Sequence, residues 1–237
     1  MEYKYTGIVL SKKDIGEADR IYTIYTRQQG KIRAIAAGTR LPKAKLANQL
    51  ENFNLVDILV VKNRGMGKIK SAVAEKEFLK IKSDLVSLEK TFEAAAMADK
   101  LTQEDEKDLN FFSLLSEYMD TMEDNFSGDE LTKKIIFQSL LFKLFDLLGY
   151  KQETGACVVC QSAIKKENNY FSFEKGGVVC FSCGEEPGNK IKIDINVIKA
   201  IRIFSGNKIK NIVKLKMDKR DVNELERLSS RIVHWIL

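Results

Sequence analysis

The sequence predicts an α+β protein: a five-stranded OB-fold β-barrel followed by an α-helical domain that carries a four-cysteine zinc-binding element. Three observations lead to this prediction. Five short β-branched or apolar runs, separated by turn signals, occupy the first 80 residues. Apolar residues then recur at helical spacing. All four cysteines lie between residues 157 and 183. We expect domains over residues 1–80 and 81–237, with the zinc element at about 154–188.

The barrel prediction depends on strand-like runs and the turns between them. Arg20–Arg27 is β-branched and aromatic, and Gln28-Gln29-Gly30 supplies a turn after it. Residues 65–68 (GMGK) lack the spacing of a phosphate-binding loop, so we interpret them as a hairpin turn. The predicted strands are Tyr5–Lys12, Arg20–Arg27, Lys31–Ala37, Asn54–Lys62 and Lys68–Glu75. An OB-type barrel has this strand count and commonly binds oligonucleotides, although SH3-like barrels look similar.

Helical patterns begin after residue 80. Two apolar stripes predict helix faces, the first with Leu85, Leu88, Phe92, Ala95 and Ala96 and the second with Leu109, Phe112, Leu115, Met119 and Met122. Glu130–Leu148 is apolar on several faces, which predicts a central buried helix that ends at Gly149. An amphipathic helix is predicted over Asp218–Ile236, with Asp218 or Asp221 as its cap.

The charge distribution is more informative than the net charge of +6. Residues 1–80 hold 16 Lys and Arg against 8 Asp and Glu, residues 81–130 hold 4 against 14, and residues 131–237 hold 19 against 11. Two basic blocks therefore flank an acidic one. Concentrated positive charge indicates a polyanion such as nucleic acid or an anionic membrane surface, and solvated lysine-rich faces are the alternative.

The motifs of common enzyme classes are missing. The sequence has no GxSxG elbow, no GxxxxGK[ST] loop and no HExxH helix. The single histidine, His234, lies beside Trp235 in a helical pattern, where we expect a packed or half-exposed residue. The carboxylates of residues 104–108 are expected to be solvated. We therefore expect no enzyme. The chain also lacks an 18-residue apolar run and the features of a secretory signal at its start, so we expect a cytoplasmic protein.

The four cysteines form two CxxC pairs with 19 residues between them, at Cys157, Cys160, Cys180 and Cys183. Two such pairs bring four sulfurs to one point, which is the pattern of a tetrathiolate zinc site. Four thiolates leave no open position for water, so the predicted zinc is structural. Disulfides or metal-free structural cysteines are the alternatives, and a reducing compartment disfavours disulfides. We expect Gly184 to help the turn around the metal and residues 170–177 to form a β-ribbon.

Two basic sets could contact an anionic partner. The candidate DNA-binding residues of the barrel are Arg20, Lys31, Arg33, Arg40, Lys43, Lys45, Arg64, Lys68 and Lys70. Tyr22 and Tyr25 lie among them and could stack on bases or pack in the barrel. Residues 190–220 hold ten Lys and Arg against Asp194 and Asp218, which suggests DNA or an acidic peptide tail as partner.

Short motifs in the barrel region resemble the bacterial DNA repair protein RecO family. They are Gly16-Glu17-Ala18-Asp19-Arg20, Gly30-Lys31, Gly38-Thr39-Arg40 and Pro42-Lys43, and the later CxxC pairs resemble the zinc element of many members. The order of barrel, helices and zinc element agrees along nearly the whole chain. Family members often continue past the last helix, so we expect this chain, which stops at Leu237, to be naturally short or truncated.

The resemblance implies a recombination mediator without catalytic activity. Such proteins bind single- and double-stranded DNA, anneal complementary strands and act with RecR to help load RecA. They also engage the acidic C-terminal tail of the single-stranded-DNA-binding protein. The resemblance implies one structural Zn²⁺, no membrane partner and a cytoplasmic, nucleoid-associated location. A zinc-containing protein-interaction scaffold without intrinsic DNA binding is the alternative, and a zinc-dependent nuclease or deaminase ranks third.

Overall fold

The computed structural model describes residues 1–42, 44–62, 65–166, 168–185 and 188–236. Contacts within the chain divide it into two compact units, Met1–Phe126 and Ser127–Leu237. We call them the barrel unit and the helical unit. The barrel unit therefore contains the strands together with the helices that directly follow them. In the described ranges, no helix is both long enough and apolar enough to cross a membrane.

Five strands of the barrel unit close into a barrel in the order β1-β2-β3-β5-β4. They are β1 (Glu2–Ile15), β2 (Asp19–Thr26), β3 (Gly30–Ala36), β4 (Leu55–Val61) and β5 (Gly67–Lys76). This confirms the predicted OB-type barrel and the hairpin between β4 and β5, which pair antiparallel. The first strand is longer than predicted because its first half pairs with β4 and its second half with β2, with an irregularity after Val9.

The barrel core is built by strand residues that alternate inward, as a period of two requires. Tyr22 and Ile24 of β2 and Ala34 of β3 are fully buried in it. A short helix, α1 (Lys45–Gln49), lies between β3 and β4, and its Leu46 packs against the same core. The sequence did not predict α1, because five residues are too few to show a helical period.

Three further helices complete the barrel unit, α2 (Leu79–Ser83), α3 (Leu85–Leu101) and α4 (Leu109–Asp124). The predicted apolar stripe of α3 is wrong in part, because Leu85 is 78% exposed and Phe92 46%. The buried residues of α3 are mostly small, and they include Ser87, Thr91, Ala94, Ala95 and Ala98. Small side chains let this helix approach the barrel closely, which an apolarity pattern does not reveal.

The helical unit is organised around α5 (Glu130–Leu147), the predicted central helix, which is buried on several faces. Gly149 follows it with a φ of 87°, as the predicted helix end requires. Against α5 pack α7 (Ile195–Gly206), α8 (Ile209–Ile212) and α9 (Lys219–Ile236). The Asp218 carboxylate accepts a hydrogen bond from the Asp221 backbone N–H at 2.9 Å, so Asp218 is the cap of α9.

The region between α5 and α7 contains a small antiparallel sheet and a four-residue helix. The sheet has the order β7-β6-β8 and consists of β6 (Asn169–Ser172), β7 (Gly177–Val179) and β8 (Lys190–Ile193). The β6–β7 pair confirms the predicted ribbon, with Gly176 in its turn at a φ of 65°. The third strand was not predicted, and α6 (Phe181–Gly184) follows β7 directly.

Candidate functional site

The four cysteines converge on one point in the helical unit. The sulfurs of Cys157, Cys160, Cys180 and Cys183 all lie within 4.8 Å of one another. The Sγ atoms of Cys160 and Cys180 are 3.7 Å apart. A tetrahedron with metal–sulfur bonds of about 2.3 Å has sulfur–sulfur edges of about 3.8 Å, whereas a disulfide bond is about 2.05 Å long. The cluster therefore fits a metal ion, and all four cysteines are free thiols.

Backbone hydrogen bonds shape the first cysteine pair. The Gln161 N–H donates to the Cys157 carbonyl, and the Cys157 N–H donates to the Ser162 carbonyl, each at 2.9 Å. Gln161 has a φ of 61°, which makes the turn tight. The Val158 N–H donates to Val178 of β7, also at 2.9 Å. The first pair is thus fixed to the ribbon that leads to the second pair.

The second pair lies where β7 passes into α6. Cys180 precedes the helix as its N-terminal cap residue, and Cys183 lies within it. Gly184 is required for a different reason from the one predicted. A Cβ on Gly184 would lie 2.0 Å from the Tyr170 ring, and this glycine is not among the residues with positive φ. Close packing of β6 against α6, rather than a turn around the metal, therefore requires glycine here.

The thiols carry opposing electrostatic shifts. The Ser162 hydroxyl lies 3.1 Å from the Cys160 sulfur, and hydrogen bonding to it lowers the pKa of Cys160 to about 6. Hydrogen bonding of the protonated Cys183 thiol to the Cys160 sulfur, together with burial and the nearby Cys180 sulfur, raises the pKa of Cys183 to about 12. A cation at the centre of the cluster would favour the deprotonated form and hold all four sulfurs as thiolates.

One end of the barrel gathers several of the predicted basic residues. Arg20 and Arg40 both reach Asp14, with Nε–Oδ distances of 2.8 and 3.3 Å. The Arg40 guanidinium also donates to the Gly16 carbonyl at 2.7 Å. Asp19 accepts from the Gly38 N–H at 2.8 Å. These bonds join the β1–β2 turn to the loop after β3, which explains why the glycine-containing motifs around residues 16–20 and 38–40 occur together.

Strand register adds β5 to the same end. Arg20 pairs with Ala36 at the end of β3, and Lys68 lies beside Ile35. Lys68 and Lys70 are exposed, while Ile69 between them is buried in the barrel. We call this region the loop end and define it as Arg20, Arg40, Lys68 and Lys70. The predicted contact Lys45 is exposed at the start of α1. The predicted contacts Lys43 and Arg64 lie outside the described residues.

The remaining two predicted contacts, Lys31 and Arg33, lie against an acidic segment of the same unit, residues 99–108. The Lys31 ammonium is buried and contacts the Asp99 carboxylate at 3.0 Å. Arg33 pairs with Glu104 at 3.1 Å. The Asp105 N–H donates to the Lys31 carbonyl at 2.8 Å, so the segment forms a single β-bridge with β3 between Glu104 and Lys31. The carboxylates of Glu104, Asp105 and Glu106 are exposed, as the sequence predicts, and Glu104 also forms the ion pair with Arg33.

Gly30 allows the acidic segment to approach the barrel. It has a φ of 73°, and a Cβ at this position would lie 1.8 Å from the Glu106 carbonyl oxygen. Only a residue without a side chain fits there. The acidic block in the sequence was the signal for this contact, because its charge is opposite to that of Lys31 and Arg33. The contact could not be predicted because β3 lies about 70 residues before this block in the chain.

Neither tyrosine that could have stacked on bases is available for it. Tyr22 is 0% exposed within the barrel core, and Tyr25 is 1% exposed. The Tyr25 ring packs on Phe111 of α4, with ring centroids 4.7 Å apart. This packing burial raises the pKa of Tyr25 to about 12. The packing alternative is thus the one observed. His234 is exposed on α9.

Family comparisons cover almost the whole chain. A family model described as recombination protein O N terminal matches residues 1–78, and one described as recombination protein O C terminal matches residues 93–237. The chain is 29% identical over 236 residues to a DNA repair protein RecO of Dehalococcoides mccartyi, covering 100% of this chain and 91% of that protein.

Two further relatives carry the same name. A DNA repair protein RecO of Halalkalibacterium halodurans is 30% identical over 204 residues, which is 86% of this chain and 78% of the relative. One of Bifidobacterium longum is 32% identical over 180 residues, which is 75% of this chain and 72% of the relative.

Proposed function

Because the chain belongs to the RecO family of DNA recombination and repair proteins, we propose that it is a mediator that binds DNA through the loop end of its barrel. The family supports a role in DNA repair and recombination. In this proposal the protein binds single- and double-stranded DNA and anneals complementary strands, and it performs no catalytic step. The observation that supports it most is the exposed basic set of the loop end on an OB-type barrel.

The loop end lies beside the surface through which OB barrels bind oligonucleotides, and its side chains are positively charged. OB barrels bind nucleic acid through the β2–β3 face and the loops that join β1 to β2 and β4 to β5. In this barrel part of that face is covered, because Phe111 packs on Tyr25 and Asp99 holds Lys31. The basic residues beside the two loops remain exposed or half exposed. Arg20 and Arg40 share the single carboxylate of Asp14, so this trio keeps a net positive charge, unlike the one-to-one pair of Arg33 with Glu104. We propose the loop end as the direct phosphate contacts.

Arg33 has an intermediate role in this proposal. Its side chain is 44% exposed, so a phosphate could reach it, but Glu104 already neutralises it at 3.1 Å. Arg33 would then contact DNA only when that ion pair opens. Lys31 is too buried to meet a phosphate, and its bonds to the acidic segment give it a structural role in the barrel unit.

Strand annealing requires charge neutralisation rather than chemistry. Two phosphate backbones repel each other, and basic side chains that bind the backbones leave the base edges free to pair. Lysine and arginine residues on a rigid barrel supply this function without any catalytic group. Because the contacts are electrostatic, binding should weaken steeply as the salt concentration rises.

The four-cysteine cluster is proposed to hold one structural Zn²⁺. Cys157, Cys160, Cys180 and Cys183 would supply four thiolates, so the ion would have no free position for a substrate. When bound, it supplies charge neutralisation and a cross-link between the turn at residues 157–162 and helix α6. The small sheet around it has few residues of its own to form a core, so the metal would stabilise this element.

The family also suggests protein partners. We propose that the protein acts with RecR to help load RecA, and that it engages the acidic C-terminal tail of the single-stranded-DNA-binding protein. We further propose a cytoplasmic, nucleoid-associated location, where these partners and the DNA are present. A zinc-containing scaffold without intrinsic DNA binding is the competing function, and it makes the opposite prediction in a binding assay.

The direct test is annealing of complementary oligonucleotides by a double reversal, Arg40→Glu with Lys68→Glu. We expect roughly tenfold or greater loss of annealing and of single-strand affinity, since two phosphate contacts become repulsive. The matched control, Lys4→Glu with Lys100→Glu, reverses two exposed lysines elsewhere in the barrel unit and should retain most activity. Equal activity of the two variants would reject the loop end, and no DNA binding by the wild-type protein would favour the scaffold.

A further inference from the structure

A second group of exposed lysines lies on the helical unit, where the metal site and the barrel do not account for it. Helices α7 and α8 bury apolar residues against α5, among them Ile201 and Ile212. Their opposite sides and the connection to α9 carry lysines that are exposed to solvent. We define the cationic surface as Lys199, Lys208, Lys210, Lys214 and Lys216.

Three of the five lysines of this surface, Lys199, Lys208 and Lys214, take part in no ion pair within the part of the chain that the structure describes. The two carboxylates of residues 190–220 have other roles. Asp194 accepts the Asn196 N–H at 2.8 Å, and Asp218 caps α9. Both therefore serve as helix caps.

The surface offers no fully exposed apolar anchor to a protein partner. All of residues 190–220 are described, and their apolar side chains are buried or, as at Val213, Leu215 and Met217 beside the lysines, half-buried. Protein interfaces depend on buried aromatic and apolar anchors surrounded by polar groups. A nucleic-acid backbone needs only cations, because its affinity comes from phosphate neutralisation and counterion release. A surface whose exposed groups are lysines, and whose apolar side chains are buried or half-buried, therefore favours a phosphate backbone over an acidic peptide.

We infer that the cationic surface binds the phosphate backbone of a second DNA strand, so that the protein holds two strands at once. This inference rests on the proposed DNA-binding function of the barrel and extends it. A protein with a single site can present only one strand. Two cationic sites on different units can each neutralise one backbone, which brings two strands into one complex before they pair.

The test is a bridging assay with two non-complementary single-stranded oligonucleotides, one with a donor dye and one with an acceptor dye. The wild-type protein should produce energy transfer between them. The variant Lys199→Gln, Lys208→Gln and Lys214→Gln should still bind one oligonucleotide with an affinity within about twofold of wild type. It should lose the energy transfer and anneal complementary strands roughly tenfold more slowly, since three phosphate contacts are missing.

A matched control makes the same change in charge elsewhere on the helical unit. Lys151→Gln, Lys166→Gln and Lys175→Gln removes three exposed lysines outside the cationic surface and should bridge as the wild type does. Unfolding curves and metal content should be unchanged in both variants, because every substituted side chain is exposed.

Three results would overturn the inference. Unchanged bridging by the Lys199, Lys208 and Lys214 variant would reject the second site while single-strand binding by the barrel still stood. Loss of binding to a labelled acidic peptide, with bridging intact, would assign the surface to a protein partner. If the wild-type protein bound neither oligonucleotide, the result would reject the proposed DNA-binding function, and the inference of a second site would be rejected together with it.

Discussion

The barrel unit and the helical unit both carry basic residues that the sequence pattern singles out, but they use them differently. In the barrel unit, Lys31 and Arg33 are matched by Asp99 and Glu104 of the same unit. In the helical unit, lysines such as Lys199 have no ion pair among the described residues. A count of positive charge therefore does not measure the charge that a surface offers to a partner.

The two units also differ in what stabilises them. The barrel closes through five paired strands around an apolar core, so no cofactor is needed to explain its fold. The part of the helical unit that holds the four cysteines, which we call the cysteine element, contains strands β6 to β8 and helix α6. Its strands have only three or four residues each, and its helix has four. Under the proposed metal site, such an element would depend on the cross-link that the metal supplies. Substitutions can test both differences.

The largest effect is expected for loss of the metal site. Cys157→Ser removes one ligand from the cluster. The cysteine element should then lose its metal and its ordered structure, while the barrel unit should stay folded. Metal analysis and hydrogen exchange across the two units would measure this. Ser182→Ala lies inside the second cysteine pair and should leave the metal content unchanged. Equal zinc in Cys157→Ser and wild type would contradict the four-cysteine site.

A smaller effect is expected where the acidic segment meets the barrel. Gly30→Ala should lower the free energy of unfolding in urea by more than the roughly 1–2 kcal/mol that a left-handed residue costs, because the new Cβ overlaps the Glu106 carbonyl. Gly16→Ala is the control. Gly16 also has a positive φ of 55°, but nothing lies within 4 Å of a Cβ there. Equal losses of unfolding free energy in the two variants would show that the acidic segment does not lie in close contact with Gly30.

The smallest effect is an increase in DNA affinity. Glu104→Gln removes the carboxylate that neutralises Arg33, and an exposed ion pair is worth about 0–1 kcal/mol, so single-strand affinity should rise about two- to fivefold. Glu106→Gln makes the same change in charge within the acidic segment at a residue with no ion pair in the described part of the chain. Equal gains in the two variants, measured by fluorescence anisotropy, would mean that general repulsion rather than the Arg33 pair limits binding.

The sequence predicted features that depend on local pattern. The strand count of the barrel, the central α5 and the Asp218 cap all follow from periodicity and capping preferences that act within a few residues. The cysteine cluster was predictable because the CxxC spacing itself fixes the local geometry. These features do not require knowledge of which distant segments meet.

The sequence did not predict features that depend on distant contacts. The acidic segment reaches Lys31 across about 70 residues, and nothing near Lys31 indicates that its ammonium is buried. Gly184 has no special backbone angle, and only its contact with the Tyr170 ring explains it. The prediction of which face of α3 is buried was wrong in part. It relied on the largest apolar side chains, whereas the buried residues of this helix are mostly small.

The central claim is that the loop end of the barrel, and not the residues held by the acidic segment, provides the DNA contacts. It is tested most directly by single-strand binding across a salt series for wild type, for Arg40→Gln with Lys68→Gln, and for Arg33→Gln. We expect the slope of log affinity against log salt to fall by about 1.4 in the double variant, or about 0.7 for each lost phosphate contact, and to change little in Arg33→Gln. A larger fall in Arg33→Gln than in the double variant would contradict the account.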